Sequence, residues 1–589
     1  MYYCYLFEAK SIQAYLFQSS KLRDVISASE RLDRLIDSSP NSVLAQVIEV
    51  AKLPSDLLSD VSDNEHTIHF LRCKGGAFYA YCRQQTPLLS LRSSWTLTLS
   101  QLFPSMVFTD AFSEAESLQQ AMALGLKRLN TDRNNPRLLL PTATAPVKRT
   151  ARTGKGAVPL SRLAQYGGVK EDNELDLDTE LHRQAYQAFA MRDSAALQDR
   201  FTPPELKEHI CYPLNFETQF PFSGAVDLLT QSQREAIKDM ALIHIDGNGL
   251  GILLRQLKQV LQTQPVEEYR RAFRAFSEAL AQATQLAAQQ ATRVLYQQVI
   301  GDSSHDEPVM LPMRPIVLGG DDVTLFCRAD LALEYARTFC TAFKQNSQTI
   351  LASLYQEYLA GSGIKPYLTA SGGVLFHKAG HPFMHSHQLV EGLCEQAKKL
   401  TKSIYGTQSN KVGPAALALY RVSNATQSDV ESLIQQAQTF PLSSAQRICL
   451  TQTSYFVSMT SDEQQALEKE TGEPLKHNRC LDKLQNLIPR DRANAVMPMG
   501  KWRQLATLLS QRDFAEAQRL YNRALSLCSD KTQLQQFRDL VAALAPTANE
   551  QVEWAWQEEG QWRTFINDLL LVDHFQPVSY ANDAKEAVA

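Results

Sequence analysis

Three aspartates stand where a divalent cation could be held. The segment 319–322 reads Gly-Gly-Asp-Asp and lies between two β-prone apolar runs, so residues 316–326 predict a hairpin with two carboxylates at its tip. A third aspartate ends the separate apolar run 241–246. A palm-type sheet would bring these strands together, and the carboxylates could then bind two Mg²⁺ or Mn²⁺ ions together with a nucleotide triphosphate. The predicted catalytic residues and metal ligands are Asp246, Asp321 and Asp322.

Glycines and polar side chains beside the aspartates could bind a nucleotide. The segment 247–251 reads Gly-Asn-Gly-Leu-Gly and is predicted to lead into a helix from Ile252, whose free N–H groups can receive phosphate oxygens. A strand serine could line the base pocket, and a lysine on the following helix could reach a β or γ phosphate. Tight strand packing and an ordinary surface lysine are the alternatives. The predicted nucleotide-binding residues are Gly247, Asn248, Gly249, Gly319, Gly320, Ser371 and Lys398.

The elements that carry these residues occur twice. In the second half, the strand 241–246, the hairpin 316–326 and the strand 366–376, with helices between them, give the order βαββαβ. The first half shows the same order, with a helix after Ser11, a strand at 105–108, and a Gly-Gly hairpin that carries no acids. The predicted fold is α+β, with two ferredoxin-like or palm domains, of which the second is a Gly-Gly-Asp-Asp polymerase or cyclase palm.

The remaining segments are predicted to be a linker and a helical domain. Residues 127–155 contain eight Lys and Arg against one acid, which suits either an RNA-backbone contact or a solvated linker. Beyond about residue 425 the pattern is mostly helical and predicts a bundle. The predicted domains are 1–112 (degenerate palm), 113–238 (helical linker with the basic segment), 239–425 (catalytic palm) and 426–589 (C-terminal helical bundle).

Composition narrows the class of protein. The net charge of −4 over 589 residues gives no overall attraction for nucleic acid, so a polyanion site must be local. Ten cysteines without a C-x-x-C pair, and an N-terminus without signal-peptide features, predict a reducing, cytoplasmic compartment. No apolar run approaches the roughly 20 residues that cross a bilayer, so no membrane association is expected.

Two groups of residues could suggest a metal site or a phosphohydrolase site, but their spacing argues against both. The four histidines between His377 and His387 match no familiar ligand spacing, so polar loop and helix residues are the favoured interpretation. The pair His305-Asp306 has no second His or Asp grouping to complete an HD phosphohydrolase site.

The ordered set of motifs resembles a known family. Residues 244–251 (His-Ile-Asp-Gly-Asn-Gly-Leu-Gly), 318–322 (Leu-Gly-Gly-Asp-Asp), 370–374 (Ala-Ser-Gly-Gly-Val) and 397–398 (Ala-Lys) resemble the polymerase-type palm of the Cas10 (Cmr2/Csm1) proteins, the large subunits of type III CRISPR effectors. The run 12–17 (Ile-Gln-Ala-Tyr-Leu-Phe), with the Lys-Leu-Arg and Ala-Ser that follow, is similar to that family's first, degenerate palm.

The resemblance implies a function. It implies synthesis of cyclic oligoadenylates from ATP as an antiviral second messenger, with ATP, RNA and other effector-complex subunits as partners. Because the chain begins with the first palm, no HD nuclease is expected. The zinc-binding cysteines that many relatives place between the palms have no counterpart in residues 110–240, where Cys211 is the only cysteine.

Two other functions stay open. One is a diguanylate or other cyclic-dinucleotide cyclase of the GGDEF type, although such enzymes usually bring together two identical active palms. The other is an RNA-binding scaffold subunit whose palm binds nucleotide without turning it over. Clustered carboxylates that repel one another without a metal argue against the scaffold.

Overall fold

The computed structural model describes most of the chain. The described residues are 1–18, 21–57, 64–133, 135, 147–150, 153–158, 175–190, 196–216, 220, 231–300, 307–405, 411–422, 429–442, 446–471, 479–489, 495–545, 552–558 and 560–577. His305, Asp306 and part of the basic segment 127–155 lie outside these ranges, so the predictions made for them are not addressed.

Sixteen strands are found in the described residues. They are β1 (Tyr2–Ala9), β2 (His69–Lys74), β3 (Ala77–Cys82), β4 (Phe108–Ala115), β5 (Ile210–Cys211), β6 (Asp239–Asn248), β7 (Val309–Met310), β8 (Met313–Leu318), β9 (Asp322–Arg328), β10 (Thr369–Lys378), β11 (Ala416–Arg421), β12 (Thr439–Pro441), β13 (Arg447–Cys449), β14 (Ser454–Phe456), β15 (Trp556–Glu558) and β16 (Gln561–Arg563).

The helices of the described residues connect and cover these strands. They are α1 (Ile12–Leu16), α2 (Leu22–Asp33), α3 (Val43–Val50), α4 (Gln85–Leu102), α5 (Leu118–Asp132), α6 (Leu177–Ala190), α7 (Ala196–Phe201), α8 (Gln231–Ala236), α9 (Leu250–Leu261), α10 (Val266–Ile300), α11 (Ala329–Ile350), α12 (Ala352–Leu354), α13 (Phe383–Ser403), α14 (Val430–Ala437), α15 (Ser461–Thr471), α16 (Leu481–Asn486), α17 (Met499–Ser510), α18 (Phe514–Ser526), α19 (Lys531–Leu544) and α20 (Ile566–His574). A short 3₁₀ turn (Pro204–Leu206) and a π-helical turn (Tyr355–Leu359) complete the set.

Two sheets share one topology, which confirms the predicted pair of palm-type folds. The first sheet has the strand order β2-β3-β1-β4, and the second contains β10-β6-β9-β8, extended at the β10 edge by β11 and β14. When the strands are numbered within each unit, both sheets have the strand order 4-1-3-2, which is the βαββαβ arrangement of ferredoxin-like domains. The two hairpins that carry a Gly-Gly turn, β2–β3 and β8–β9, therefore occupy equivalent places.

The central strand of the second palm is buried on both faces. Ala241, Ile243 and Ile245 contribute to the core that contains α10 and α11, whereas Met240 and Leu242 join the core that contains α13. This alternation is the two-residue period of a strand. It explains why β6 appears in the sequence as an uninterrupted apolar run rather than as alternating polar and apolar residues.

Two predicted elements of the first palm differ in the structure. The fourth strand is Phe108–Ala115, not 105–108, because Ser105 precedes the strand and donates its hydroxyl to Asp178. The single helix expected after Ser11 is split into α1 and α2. Ser11 has φ of 50° and its side chain makes no capping hydrogen bond.

The C-terminal region is mainly helical but also contains strands that the sequence pattern did not predict. Trp502 is buried where α17 meets α18 and α19, as a helical bundle requires. Strands β12, β13, β16 and β15 form a separate four-stranded sheet, and β14 joins the palm sheet. Three-residue strands are too short for periodicity to reveal them.

Among the described helices, none is both long and apolar enough to cross a bilayer.

Candidate nucleotide-binding and metal site

The Gly-Gly-Asp-Asp segment forms the tip of the β8–β9 hairpin, as predicted. The N–H of Gly319 donates to the carbonyl of Asp322 at 2.8 Å, which closes the turn. The hydroxyl of Thr284, on α10, donates to the carbonyl of Gly320 at 2.7 Å. A Cβ at Gly319 would lie 1.6 Å from Oδ1 of Asp322, so only glycine leaves room for that carboxylate.

The three aspartates come together at one edge of the second sheet. Asp246 and Asp322 are register partners in the β6–β9 ladder. The N–H of Gly247 donates to the carbonyl of Asp321 at 3.0 Å, and an added Cβ at Gly247 would lie 3.2 Å from Oδ2 of Asp321. Residues separated by about 75 positions in the sequence are thus neighbours, as the palm prediction requires.

The electrostatics of this edge reflect crowded negative charge. Burial, with the nearby charges of Asp246 and Asp322, raises the pKa of Asp321 above its usual range. Burial and the charge of Asp246 raise the pKa of Asp322 to about 6. The ammonium of Lys398 contacts Oδ2 of Asp246. Although burial opposes it, this ion pair keeps the pKa of Lys398 above the usual lysine value.

The glycine-rich turn differs slightly from the prediction. Gly247 and Asn248 belong to β6, and helix α9 begins at Leu250 rather than Ile252. Gly249 caps this helix with φ of 80°, and a Cβ there would lie 2.3 Å from the side chain of Val412. A left-handed glycine cap starts the helix two residues earlier than the pattern suggests, and it aims the helix N-terminus at the cleft.

Asn248 and Ser371 serve mainly to join strands. The amide nitrogen of Asn248 donates to the hydroxyls of Ser371 at 2.8 Å and Thr369 at 3.1 Å. The hydroxyl of Ser371 accepts from the N–H of Ala416 at 3.2 Å, and Ser371 is fully buried. Ser371 therefore lies beneath the cleft, where it supports Asn248 instead of facing the base pocket expected from the sequence.

A cleft of about 850 Å³ opens beside the aspartates. Asp246, Asp321 and residues 247–252 line it together with the end of α13, Tyr405 and residues 411–413. Lys398 and its neighbour Lys399 lie in this cleft together with two lysines that the sequence analysis did not single out, Lys402 and Lys411. Acids and lysines thus line one space that is large enough for a nucleotide.

Lys402 and Lys411 differ in whether the sequence pattern could have indicated them. Lys402 lies four residues after Lys398 on one helix, so helical spacing places both on the same face. Lys411 lies in a loop, where no periodicity applies, and its ammonium pairs with Glu470 at 2.7 Å. Gln13 was also missed: this first-palm residue donates its amide N–H to Oδ2 of Asp322 at 3.1 Å.

The donor set of the cleft suits a divalent cation, but it is not a closed metal site. Asp246 and Asp321 offer only oxygen acceptors, the ligands that Mg²⁺ prefers, and their mutual repulsion favours a cation between them. Within the described residues, no group of three or more His, Cys, Asp or Glu side chains is arranged to hold a metal ion. Asp322 is engaged by Gln13, so the role of the three aspartates as metal ligands stays a prediction.

Comparisons with known proteins identify the second palm. Residues 239–404 match the family model described as Cas10/Cmr2, second palm domain. No curated protein matches the chain.

Several solved structures are similar to the chain. The Csm1–Csm4 cassette in its apo form aligns with a TM-score of 0.42 and 10% identity, over 92% of this chain and 70% of that chain. The same cassette in complex with cA4 gives 0.44 and 10%, over 97% and 70%. Csm1 of T. onnurineus gives 0.45 and 14%, over 90% and 65%. The domain that carries the aspartate cleft thus matches the second palm domain of the Cas10/Cmr2 family.

Proposed function

We propose that the chain is a Mg²⁺-dependent nucleotidyltransferase that joins ATP units into a cyclic oligoadenylate. The observation that carries the proposal is the cleft that Asp246, Asp321 and Lys398 line together. Its carboxylates suit a cation, and its ammonium groups suit a triphosphate. The match of the same domain to the second palm domain of Cas10/Cmr2 also supports the proposal.

The reaction would be a displacement at phosphorus. A ribose hydroxyl of one ATP attacks the α-phosphorus of another and forms a phosphodiester bond. The bond between that phosphorus and the α,β-bridging oxygen breaks, and pyrophosphate leaves. Mg²⁺, held by Asp246, Asp321 and Asp322 (Mn²⁺ being an alternative), would supply charge neutralisation and help the hydroxyl to ionise.

The other residues of the cleft bind and orient. Lys398 can exchange its contact with Asp246 for a β or γ phosphate oxygen, and Lys402 and Lys411 extend the positive surface from there. The N-terminus of α9, which follows Gly249, presents backbone N–H groups to the same space. The closely packed turns at Gly247 and Gly319 hold the carboxylates of Asp321 and Asp322 in place.

The biological setting of the proposal comes from the family. A Cas10-family palm suggests ATP as substrate, RNA and other effector-complex subunits as partners, and CRISPR type III-like antiviral defence as the role. The cytoplasm is the proposed location.

Labelled ATP turnover tests the proposal. The purified full chain, with and without effector-complex subunits and target RNA, should release pyrophosphate and give cyclic or linear oligoadenylate identified by mass spectrometry. The double variant Asp321→Ala/Asp322→Ala should lose at least about a thousandfold in turnover, because it loses charge stabilisation of the reacting phosphate. Its melting temperature should stay close to that of the parent, because no apolar packing is removed.

Parallel reactions separate the rival functions. Preference for GTP, with activity in a homodimer alone, would favour a diguanylate cyclase. ATP binding with no product under any activating condition would contradict the enzyme proposal and favour a scaffold. An oligonucleotide product that the Asp321→Ala/Asp322→Ala variant makes equally well would place the chemistry elsewhere.

A further inference from the structure

One side chain of the first palm reaches into the carboxylate edge of the second. Gln13 lies on α1, directly after the first strand of the first palm. Its Nε2 donates to Oδ2 of Asp322 at 3.1 Å, across 309 positions of sequence. Its Oε1 contacts Nε2 of His387, on α13 of the second palm. A single amide thus links both palms to a predicted catalytic carboxylate.

The chemistry of the three groups fixes the direction of these hydrogen bonds. An ionised carboxylate only accepts, so the NH₂ of Gln13 must face Asp322 and its oxygen must face His387. His387 must therefore donate from Nε2. Burial, with the charge of His244, lowers the pKa of His387 to about 3, so the ring is neutral and has a single N–H to give.

His387 is itself held in place. Its ring lies 4.8 Å from that of Phe17, in the first palm, and its Nδ1 is 3.5 Å from Oε2 of Glu391, one helical turn along α13. A neutral imidazole with Nε2 protonated has an acceptor at Nδ1, so the Glu391 contact is not a hydrogen bond. The one N–H of His387 is thus committed to Gln13.

Two further contacts tie the strand before the turn to the first palm and the linker. The hydroxyl of Ser29, on α2, donates to the carbonyl of Ile316. Arg200, on α7, donates to the carbonyl of Leu318 at 2.7 Å and pairs with Asp33 of the first palm. The backbone of β8 is therefore fixed up to Leu318, the residue before the Gly-Gly turn.

Asp322 is the aspartate whose side-chain position depends on the first palm. It lines a cavity between the palms together with Gln13, whereas Asp246 and Asp321 line the nucleotide cleft. The Asp322 carboxylate fills the space that the missing side chain of Gly319 leaves. In the part of the chain that the structure describes, Gln13 is the hydrogen-bond donor that reaches the Asp322 carboxylate from outside the hairpin.

We propose that Gln13 is a positioning residue, which with His387 holds the Asp322 carboxylate at the sheet edge that it shares with Asp246 and Asp321. The inference rests on the proposed function, because it concerns how metal-bound nucleotide is held there. It gives the first palm, whose own Gly-Gly hairpin carries no acids, a direct part in the site of the second.

The test compares nucleotide binding with and without metal. The full chain is titrated calorimetrically with α,β-methylene-ATP, which cannot be cleaved at the α-phosphorus, in Mg²⁺ and again in EDTA. Gln13→Met keeps the length of the side chain but removes both hydrogen-bonding groups. We expect Gln13→Met to reduce the affinity gain that Mg²⁺ provides by about tenfold, because one hydrogen bond to a charged group contributes about that much to binding. Binding in EDTA should be unchanged, because the lysines and the glycine turn remain.

Matched variants separate positioning from general damage. Gln84→Met makes the same chemical change at another first-palm glutamine, whose Nε2 donates to Glu65 at 3.2 Å away from the site, and should behave like the parent. His387→Phe should reduce the Mg²⁺-dependent gain less than Gln13→Met does. Adding it to Gln13→Met should bring no further loss, since the two act through one amide.

The outcomes of the titrations distinguish failure of the positioning role from failure of the proposed function. If the parent gains affinity with Mg²⁺ and Gln13→Met gains equally or more, the positioning role is wrong while the proposed function stands. If the parent shows no gain with Mg²⁺, the proposed function is contradicted instead. The contact between Gln13 and Asp322 is then tested by the melting temperatures of Gln13→Met, Asp322→Asn and the double variant. Strictly additive shifts would contradict the contact, whereas a non-additive shift in the double variant would support it.

Discussion

The ion pair between Lys398 and Asp246 is a contact suited to exchange. The two side chains are 23% and 34% exposed, so the pair contributes about 1 kcal/mol or less to stability. An incoming phosphate can therefore replace Asp246 as the partner of Lys398 at little cost to the fold. Loss of the ammonium would leave the charges of Asp246 and Asp321 uncompensated and would repel a triphosphate.

Replacement of Lys398 should weaken nucleotide binding without unfolding the palm. For Lys398→Met we expect about a tenfold loss of ATP affinity, from one charge-assisted phosphate contact, and a change of less than about 1 kcal/mol in the free energy of unfolding. Calorimetry with α,β-methylene-ATP and urea unfolding measure the two quantities.

An exposed lysine outside the cleft provides the control. Lys207 pairs with Asp199 at 3.9 Å, and its side chain is 50% exposed, so Lys207→Met should change affinity less than twofold. Equal losses in the two variants would mean that general charge, rather than the contact made by Lys398, governs binding.

At the scale of elements, strong local signals were predicted from the sequence and long-range contacts were not. The β8–β9 hairpin followed from two apolar runs around the 319–322 turn, and β6 from its apolar run. The start of α9 was placed two residues late, because a glycine cap at Gly249 leaves no side-chain signal. Gln13 could not be assigned, since its partner is 309 residues away and belongs to another domain-sized unit.

The end of β10 carries a buried histidine that should make the fold acid-sensitive. His377 is 1% exposed, and burial lowers its pKa to about 4. Because the folded pKa lies below the unfolded value of about 6.5, its stabilising contribution is present above pH 6.5 and is lost as the pH falls toward 4. Between pH 7 and pH 5 this one group should account for about 2 kcal/mol.

His377→Phe should therefore make stability less dependent on pH. We expect the fall in unfolding free energy between pH 7 and pH 5, measured with urea, to be smaller by about 2 kcal/mol in this variant than in the parent. His66→Phe, at an exposed position, should leave that fall unchanged. An identical pH dependence in the parent and in His377→Phe would show that folding does not lower the pKa of His377.

At the scale of the whole molecule, the two palms are one packed body around the candidate site. Leu16 and Phe17 of the first palm share a core with Ile316, Phe326 and Leu389 of the second. The equivalent hairpin turns also meet, since a Cβ at Gly75 would lie 3.6 Å from the backbone nitrogen of Gly320. The acid-free palm thus forms one wall of the aspartate edge, so packing between the palms should affect chemistry as well as stability.

Arg200 offers a test of that coupling. Its guanidinium joins Asp33 of the first palm to the carbonyl of Leu318, and both charged side chains are only 14% exposed. Burial raises the pKa of Asp33, and Arg200 is the principal charge that opposes the rise, so Arg200→Ala leaves a buried carboxyl without its partner. We expect a loss of about 2 kcal/mol in unfolding free energy, together with at least a fivefold fall in ATP turnover as the hairpin loses its support.

Arg293→Ala is the matched control, because Arg293 also pairs with a carboxylate, Glu205, but both side chains are about half exposed, at 42% and 53%. Its loss should leave both stability and turnover close to those of the parent, because solvent screens an exposed pair. If Arg200→Ala lowers stability but not turnover, the packing between the palms is structural only. If it lowers both stability and turnover, a crystal structure of the variant should show Leu318 and the following turn displaced from the first palm.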